Sequence, residues 1–250
     1  MPTTMVVTQH RADAKEGEIV SVDIQRTSED CPFLNDRIVF ALRPGEVLWL
    51  RGSSGAGKSY CCMHISNLAT LPGASVSVRW DESIPAGQRI GFLFQKGVLL
   101  DSLNLSENIA LALRASNGLQ TIDEITREIT CLLEAVGLSA QVDGPKMPGQ
   151  LSGGMLRRAA LAQILAQHKR LIILDEPFVG LDPEVAADVV QLILSVTASR
   201  PIAIILISHL QPLALELKPT LEVHLERARS EVNSHPSVQT LANFAPAESI

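Results

Sequence analysis

Eight residues, Gly52-Ser53-Ser54-Gly55-Ala56-Gly57-Lys58-Ser59, constrain this chain more than any other part of it. They spell a full G-x-x-x-x-G-K-[ST] phosphate loop. The loop works physically only where a strand feeds a glycine-rich turn and a helix follows, so that backbone N–H groups and the positive helix end face one anion. The flanks meet that requirement, because Val47 to Arg51 is a short, almost wholly apolar run and a helical pattern begins at the lysine. In this arrangement Lys58 pairs with the β and γ phosphates of a bound nucleotide, and the Ser59 hydroxyl reaches Mg2+. A chance match occurs in about 1% of chains this long, and the strand and helix context sets it aside. Alone, the loop implies only a bound nucleoside triphosphate, since kinases, GTPases and motors share it.

Two more apolar runs, Leu171 to Asp175 and Ile202 to Ser208, have the same branched-residue character as Val47 to Arg51. Such runs read as parallel strands buried on both faces. The sequence therefore predicts an α/β fold, a P-loop NTPase core with a mostly parallel sheet. Val20, Val22 and Ile24 alternate with polar residues as a half-buried strand does, and Ile38 to Leu42 supplies an antiparallel partner. These form an N-terminal antiparallel β subdomain. Helical periodicity dominates from Ser106 to Leu165, most clearly in the stripe Ile122, Ile125, Ile129, Leu132 and Val136. Thr121 with Glu124 forms a capping box and Gly137 closes that helix, which makes the middle segment an inserted helical subdomain, about residues 96–165. Residues 1–17 and 230–250 lack any period and are expected to be disordered tails, leaving 18–229 as one nucleotide-binding domain.

Composition narrows the partners. A formal net charge of −6 argues against a nucleic-acid-coating surface. No apolar run approaches the roughly 18 residues that span a bilayer, and no secretory signal is visible, so a cytoplasmic location is the expectation. Cys31, Cys61, Cys62 and Cys131 have neither zinc spacing nor a CxxC pair, and they read as reduced, packed thiols.

The run Leu171-Ile172-Ile173-Leu174-Asp175-Glu176 ends in two carboxylates at the strand edge where open α/β sheets bind ligands. Asp175 is placed to hold Mg2+, and Glu176 to accept a proton from an attacking water. By themselves these acids read equally well as a solvated turn. The phosphate loop shifts the balance toward chemistry. A further element, Leu151-Ser152-Gly153-Gly154-Met155, runs into a helix from Leu156 to Leu165 and makes a second helix terminus able to bind an anion.

With that element the chain resembles the ABC ATPase family, whose signature is LSGGQ, here with Met155 in the last place. The order of smaller pieces matches too, through residues 18 to about 215. The resemblance implies that Gln95 is the Q-loop glutamine touching Mg2+ and water, that Gly180-Leu181-Asp182 is the D-loop, and that His209 is the switch histidine contacting the γ phosphate. It places Tyr60, directly after Ser59, in the nucleotide-binding segment. Two such cassettes pair head to tail in the family, so Ser152, Gly153, Gly154 and Asp182 of one copy would close over the ATP held by Lys58 of the other. ATP would then bind two copies together until hydrolysis releases them. Family members stack an aromatic residue on adenine where this chain has Ser28, which leaves Phe33, also a candidate core residue, or Arg26 to substitute.

An integral membrane permease is the implied partner, which would put the chain on the inner face of the cytoplasmic membrane. The phrases Phe94 to Leu100, Leu151 to Arg158 and Asp175 to Pro183 look most like cassettes of phospholipid-trafficking transporters that work with MCE-type substrate-binding proteins. The alternative is an ABC ATPase without a transporter. Ser59 and Leu151 are 151 − 59 = 92 positions apart, too few for the coiled coil of chromosome-maintenance ATPases, and the single cassette weighs against the tandem ribosomal type. An iron-sulfur-assembly cassette stays open.

Overall fold

The computed structural model describes residues 17–31, 37–94, 99–117 and 121–226. The tail expected at 230–250 lies outside them, as do all of the tail expected at 1–17 but Gly17, and Gln95 and Phe33.

Strands β1 (Val20–Arg26) and β2 (Arg37–Leu42) pair antiparallel, in the register Val20 to Leu42 through Gln25 to Arg37, as the alternation predicts. The other side of β1 is taken by β4 (Ala74–Trp80), which sequence periodicity did not single out. Its exposed positions carry serines and arginine, so β4 is a half-covered edge strand with little contrast between its faces.

The second sheet has the order β5-β6-β7-β3-β8, and all four of its pairings are parallel. Its members are β3 (Val47–Gly52), β5 (Ile90–Leu93), β6 (Leu171–Asp175), β7 (Ala203–Ile207) and the unanticipated β8 (Leu221–Leu225). All residues of β6 and β7 are buried, because the sheet has a core on each face. Trp49, Ile172, Leu174, Ile204 and Leu206 face the helices on one side. Leu48, Leu50, Ile173, Ile205 and Ile207 face the antiparallel sheet and α1 (Lys58–Ile65) on the other. A strand sandwiched in this way has no polar face, which explains its continuous apolar run.

The helical middle consists of α3 (Leu105–Asn117), α4 (Ile122–Ala135) and α5 (Gly153–Ala166), with short α2 (Ala86–Arg89) before β5. The Thr121 and Glu124 capping box is present, each group accepting the other's backbone N–H. At the opposite end Gly137 is left-handed (φ 68°), and Leu138 N donates to Leu133 O across it, so both closing signals were legible. Ile122 departs from the expected stripe. As the first residue of α4 it is 76% exposed, whereas Ile125, Ile129, Leu132 and Val136 are buried. After β6 come α6 (Pro183–Ser199) and, beyond β7, α7 (Gln211–Glu216).

Cys31, Cys61 and Cys62 are buried free thiols, and burial pushes Cys61 up to about 12, so it stays protonated and unreactive. Cys131 is exposed, against the expectation that all four pack inside.

Candidate active site

The parallel order of β6, β7 and β3 brings their carboxyl ends to one edge, and each delivers part of the site there. From β3 comes the phosphate loop. Gly52 (φ 144°) is required by its neighbour: a Cβ there would lie 2.2 Å from the carbonyl oxygen of Leu225 on β8. Gly55 and Gly57 also have positive φ, and Gly57 sits at the N-cap of α1, whose first residue is Lys58. Ser53, Ser54, Gly55 and Tyr60 are exposed, Ser59 is partly covered, and Ala56 is buried under the turn.

Lys58 is buried, and its ammonium donates to the carbonyls of Gly52 (2.8 Å) and Ser53 (2.9 Å). Its Nζ is also 3.4 Å from His209 Nε2. An ammonium only donates, so a hydrogen bond here would use the Nε2 lone pair. Loss of hydration holds the Lys58 ammonium below its usual lysine range, opposed by the carboxylates of Glu176 and Asp175.

From β6 come Asp175 and Glu176, both 7% exposed. Glu176 is held in the left-handed region (φ 54°), a conformation that costs a non-glycine residue and persists where the surroundings impose it. The imposing bonds are visible. Glu176 N donates to Ile207 O (2.9 Å), and Glu176 Oε2 accepts from His209 N (3.3 Å). Its other oxygen, Oε1, is buried without a hydrogen bond among the described residues, with His209 Nε2 3.5 Å away. Burial raises the Glu176 carboxyl above the ordinary carboxylate range; the His209 amide and ring and Lys58 pull the other way, and Asp175 adds to the rise.

His209 follows β7, and the peptide before it is fixed by Trp49, whose indole N–H donates to Ser208 O (3.2 Å) from the buried centre of β3. Sequence reasoning missed Trp49. The available signal was a tryptophan inside a run otherwise free of polar groups, because a buried indole N–H needs an acceptor.

Ser152, Gly153 and Gly154 lie elsewhere. Ser152 caps α5, accepting from Met155 N (3.3 Å). Together with Gly154, Arg158, Gly180, Leu181, Asp182 and Val185 it lines a hollow of about 240 Å³ that includes no residue of the phosphate loop. Within one chain, then, the expected site residues form two groups: the loop residues with Asp175, Glu176 and His209, and the α5 start with Asp182. Arg158 was not singled out from the sequence; its guanidinium donates to Gly137 O (2.8 Å) and Val136 O (3.3 Å), fastening α5 to the end of α4.

Residues 35–179 match the family model described as ABC transporter. This chain belongs to the ABC transporter family. It is the family's ATP-binding component, an ATPase that uses ATP with Mg2+. Among curated relatives, the thiamine import ATP-binding protein ThiQ of Yersinia pestis is 33% identical over 171 residues, covering 67% of this chain and 71% of that protein. The phosphonates import ATP-binding protein PhnC of Frankia casuarinae is 31% identical over 235 residues, covering 86% of this chain and 92% of that protein. In fold the chain is similar to the ATP-binding cassette MJ0796, solved as a dimer bound to ADP and Pi, with a TM-score of 0.65 and 22% identity over 83% of this chain and 97% of that one. No helix among the described residues is long and apolar enough to cross a membrane.

Proposed function

We propose that this cassette hydrolyses ATP at a site shared between two copies of itself and thereby drives a membrane permease that imports a small polar solute. The carrying observation is the Glu176 carboxylate: one oxygen held by the His209 amide, the other buried and without a donor among the described residues, beside the Lys58 ammonium. Such an oxygen is matched to the O–H of a water to be deprotonated.

The residues divide the work as follows. Gly52 to Tyr60 cradle the triphosphate, and Lys58 exchanges its contacts with the Gly52 and Ser53 carbonyls for phosphate oxygens. Ser59, Asp175 and Gln95 hold Mg2+, which when bound neutralises charge developing on the γ-phosphoryl group. Glu176 takes the proton from water, and its raised affinity for protons suits that task near neutral pH. His209 senses the γ phosphate, its Nε2 lying 3.4 Å from Lys58 Nζ and 3.5 Å from Glu176 Oε1. Ser152, Gly153, Gly154 and Asp182 contact the nucleotide of the second copy, which accounts for their hollow being separate from the phosphate loop of their own chain. The unit operates on the inner face of the cytoplasmic membrane.

Solute import is favoured by the thiamine and phosphonate relatives. A phospholipid cargo with an MCE-type partner rests on local phrases such as Leu151 to Arg158 alone. The test is purification of the tagged chain from detergent-solubilised membranes. A polytopic membrane protein should accompany it, and Lys58→Ala should weaken ATP binding about 100-fold, the loss expected for two charge-assisted contacts. Capture of soluble assembly factors alone would point to the iron-sulfur-type reading instead.

A further inference from the structure

The loop from Glu176 to Asp182 joins β6 to α6, and its two ends are held unequally. Near its start, Glu176 N is bonded to Ile207 O (2.9 Å) and Phe178 is 1% exposed. Beyond Phe178 the loop turns on two long backbone bonds, Val179 N to Glu176 O (3.4 Å) and Leu181 N to Phe178 O (3.3 Å), while Val179 itself is exposed. The Val179 carbonyl, however, accepts from the Arg157 guanidinium (Nη1, 2.5 Å). Arg157 belongs to α5, the helix that Ser152 caps, and its neighbour Arg158 is bonded to Val136 and Gly137 at the end of α4. The helix start and the loop thus face each other across the hollow lined by Ser152, Gly154, Gly180 and Asp182, with one guanidinium tying them together.

We propose that Arg157 is a positioning residue that couples the start of α5, which meets the nucleotide of the second copy, to the loop that holds Glu176 against the nucleotide of its own chain. The inference rests on the shared-site reading above. The physical logic is local. Glu176 occupies a left-handed conformation that relaxes unless its flanks are held, and Val179 is three residues away on a loop with few other backbone bonds among the described residues. A planar guanidinium on a carbonyl is a directional, charge-assisted bond, so movement of α5 on engaging a second copy pulls the loop with it. Each copy would then ready its own Glu176 only when its α5 is seated on the partner.

The experiment uses the purified transporter complex carrying Arg157→Met, which keeps the apolar stem and removes the donor, or Arg157→Lys, which keeps a donor at similar reach. Arg157→Met should bind ATP within about twofold of the parent and show a kcat about tenfold lower with KM within about twofold, the loss of roughly one charge-assisted bond acting on the chemical step. Arg157→Lys should recover part of that kcat. Unchanged kcat in Arg157→Met, or a loss that Lys does not relieve, would overturn the proposal. Ser152→Arg in the same complex separates the two levels. If it turns over normally the shared-site reading fails, whereas if it is inactive while Arg157→Met is normal, only the coupling role falls.

Discussion

Glu176 shows how far a single carboxylate can be displaced from ordinary behaviour by its position alone. Its folded-state proton affinity is raised, chiefly by burial, so the folded chain holds this proton more tightly than the unfolded chain. The sign follows by linkage: stability contributed at this position is present below the ordinary carboxylate range and is lost as pH rises through and above it. Glu176→Gln keeps the shape and abolishes the charge. The variant should therefore melt higher than the parent near pH 8, and the difference should shrink toward zero at roughly pH 4, where both side chains are neutral. Thermal melts across that range decide it; a variant less stable at pH 8 would mean that favourable contacts of the charged form outweigh its desolvation. Such a gain in stability with loss of chemistry is the exchange expected of a catalytic group in a buried site.

The antiparallel sheet depends on how its strands are joined. Ser28 N and Thr27 N both donate to Gly73 O, closing the turn after β1 onto the residue that precedes β4. Gly73 is left-handed (φ 66°), and a Cβ there would meet Cys31 N at 2.5 Å and Ser28 Oγ at 2.7 Å. Gly73→Ala should accordingly cost about 1–3 kcal/mol, lowering the melting temperature by about 2–4 °C per kcal/mol for a domain of this size. An unchanged melt would show that the turn moves freely out of the way. Arg26 Nε donates to Ser28 O in this turn, an in-plane bond that leaves the faces of the guanidinium open. The same elements show what the sequence could and could not convey. The doubly covered strands β3, β6 and β7 were legible because burial on both faces leaves a solid apolar run, and α4 because its box and closing glycine are local signals. The edge strands β4 and β8 were not, since half their side chains face solvent and Ser75, Ser77, Glu222 and His224 blur the pattern. The positions of Asp175, Glu176 and His209 were legible because each ends or follows a buried strand, and that of Lys58 because the loop motif sets it at a helix start. Trp49 and Arg157 were not, because their partners Ser208 and Val179 are 159 and 22 residues away along the chain and sequence spacing says nothing of either contact.

At the scale of the whole molecule, the parallel order sets β6, β7 and β3 side by side and so gathers the phosphate loop, the paired acids and the histidine at one edge. The same topology leaves the α5 start with Asp182 around a hollow of its own. In the proposed arrangement one chain supplies both halves of a nucleotide site without joining them, and two chains set head to tail would join them twice. That claim is tested most directly by complementation in the Glu176→Gln background, where hydrolysis should be blocked. Chains also carrying Lys58→Ala lack a phosphate loop able to hold ATP, and chains also carrying Ser152→Arg lack the covering helix start. Neither should form an ATP-dependent dimer alone in analytical ultracentrifugation with Mg2+ and ATP. Mixed together they should associate and retain one ATP per pair, because Lys58 of one chain meets Ser152 of the other; a mixture that stays monomeric and empty would contradict the account.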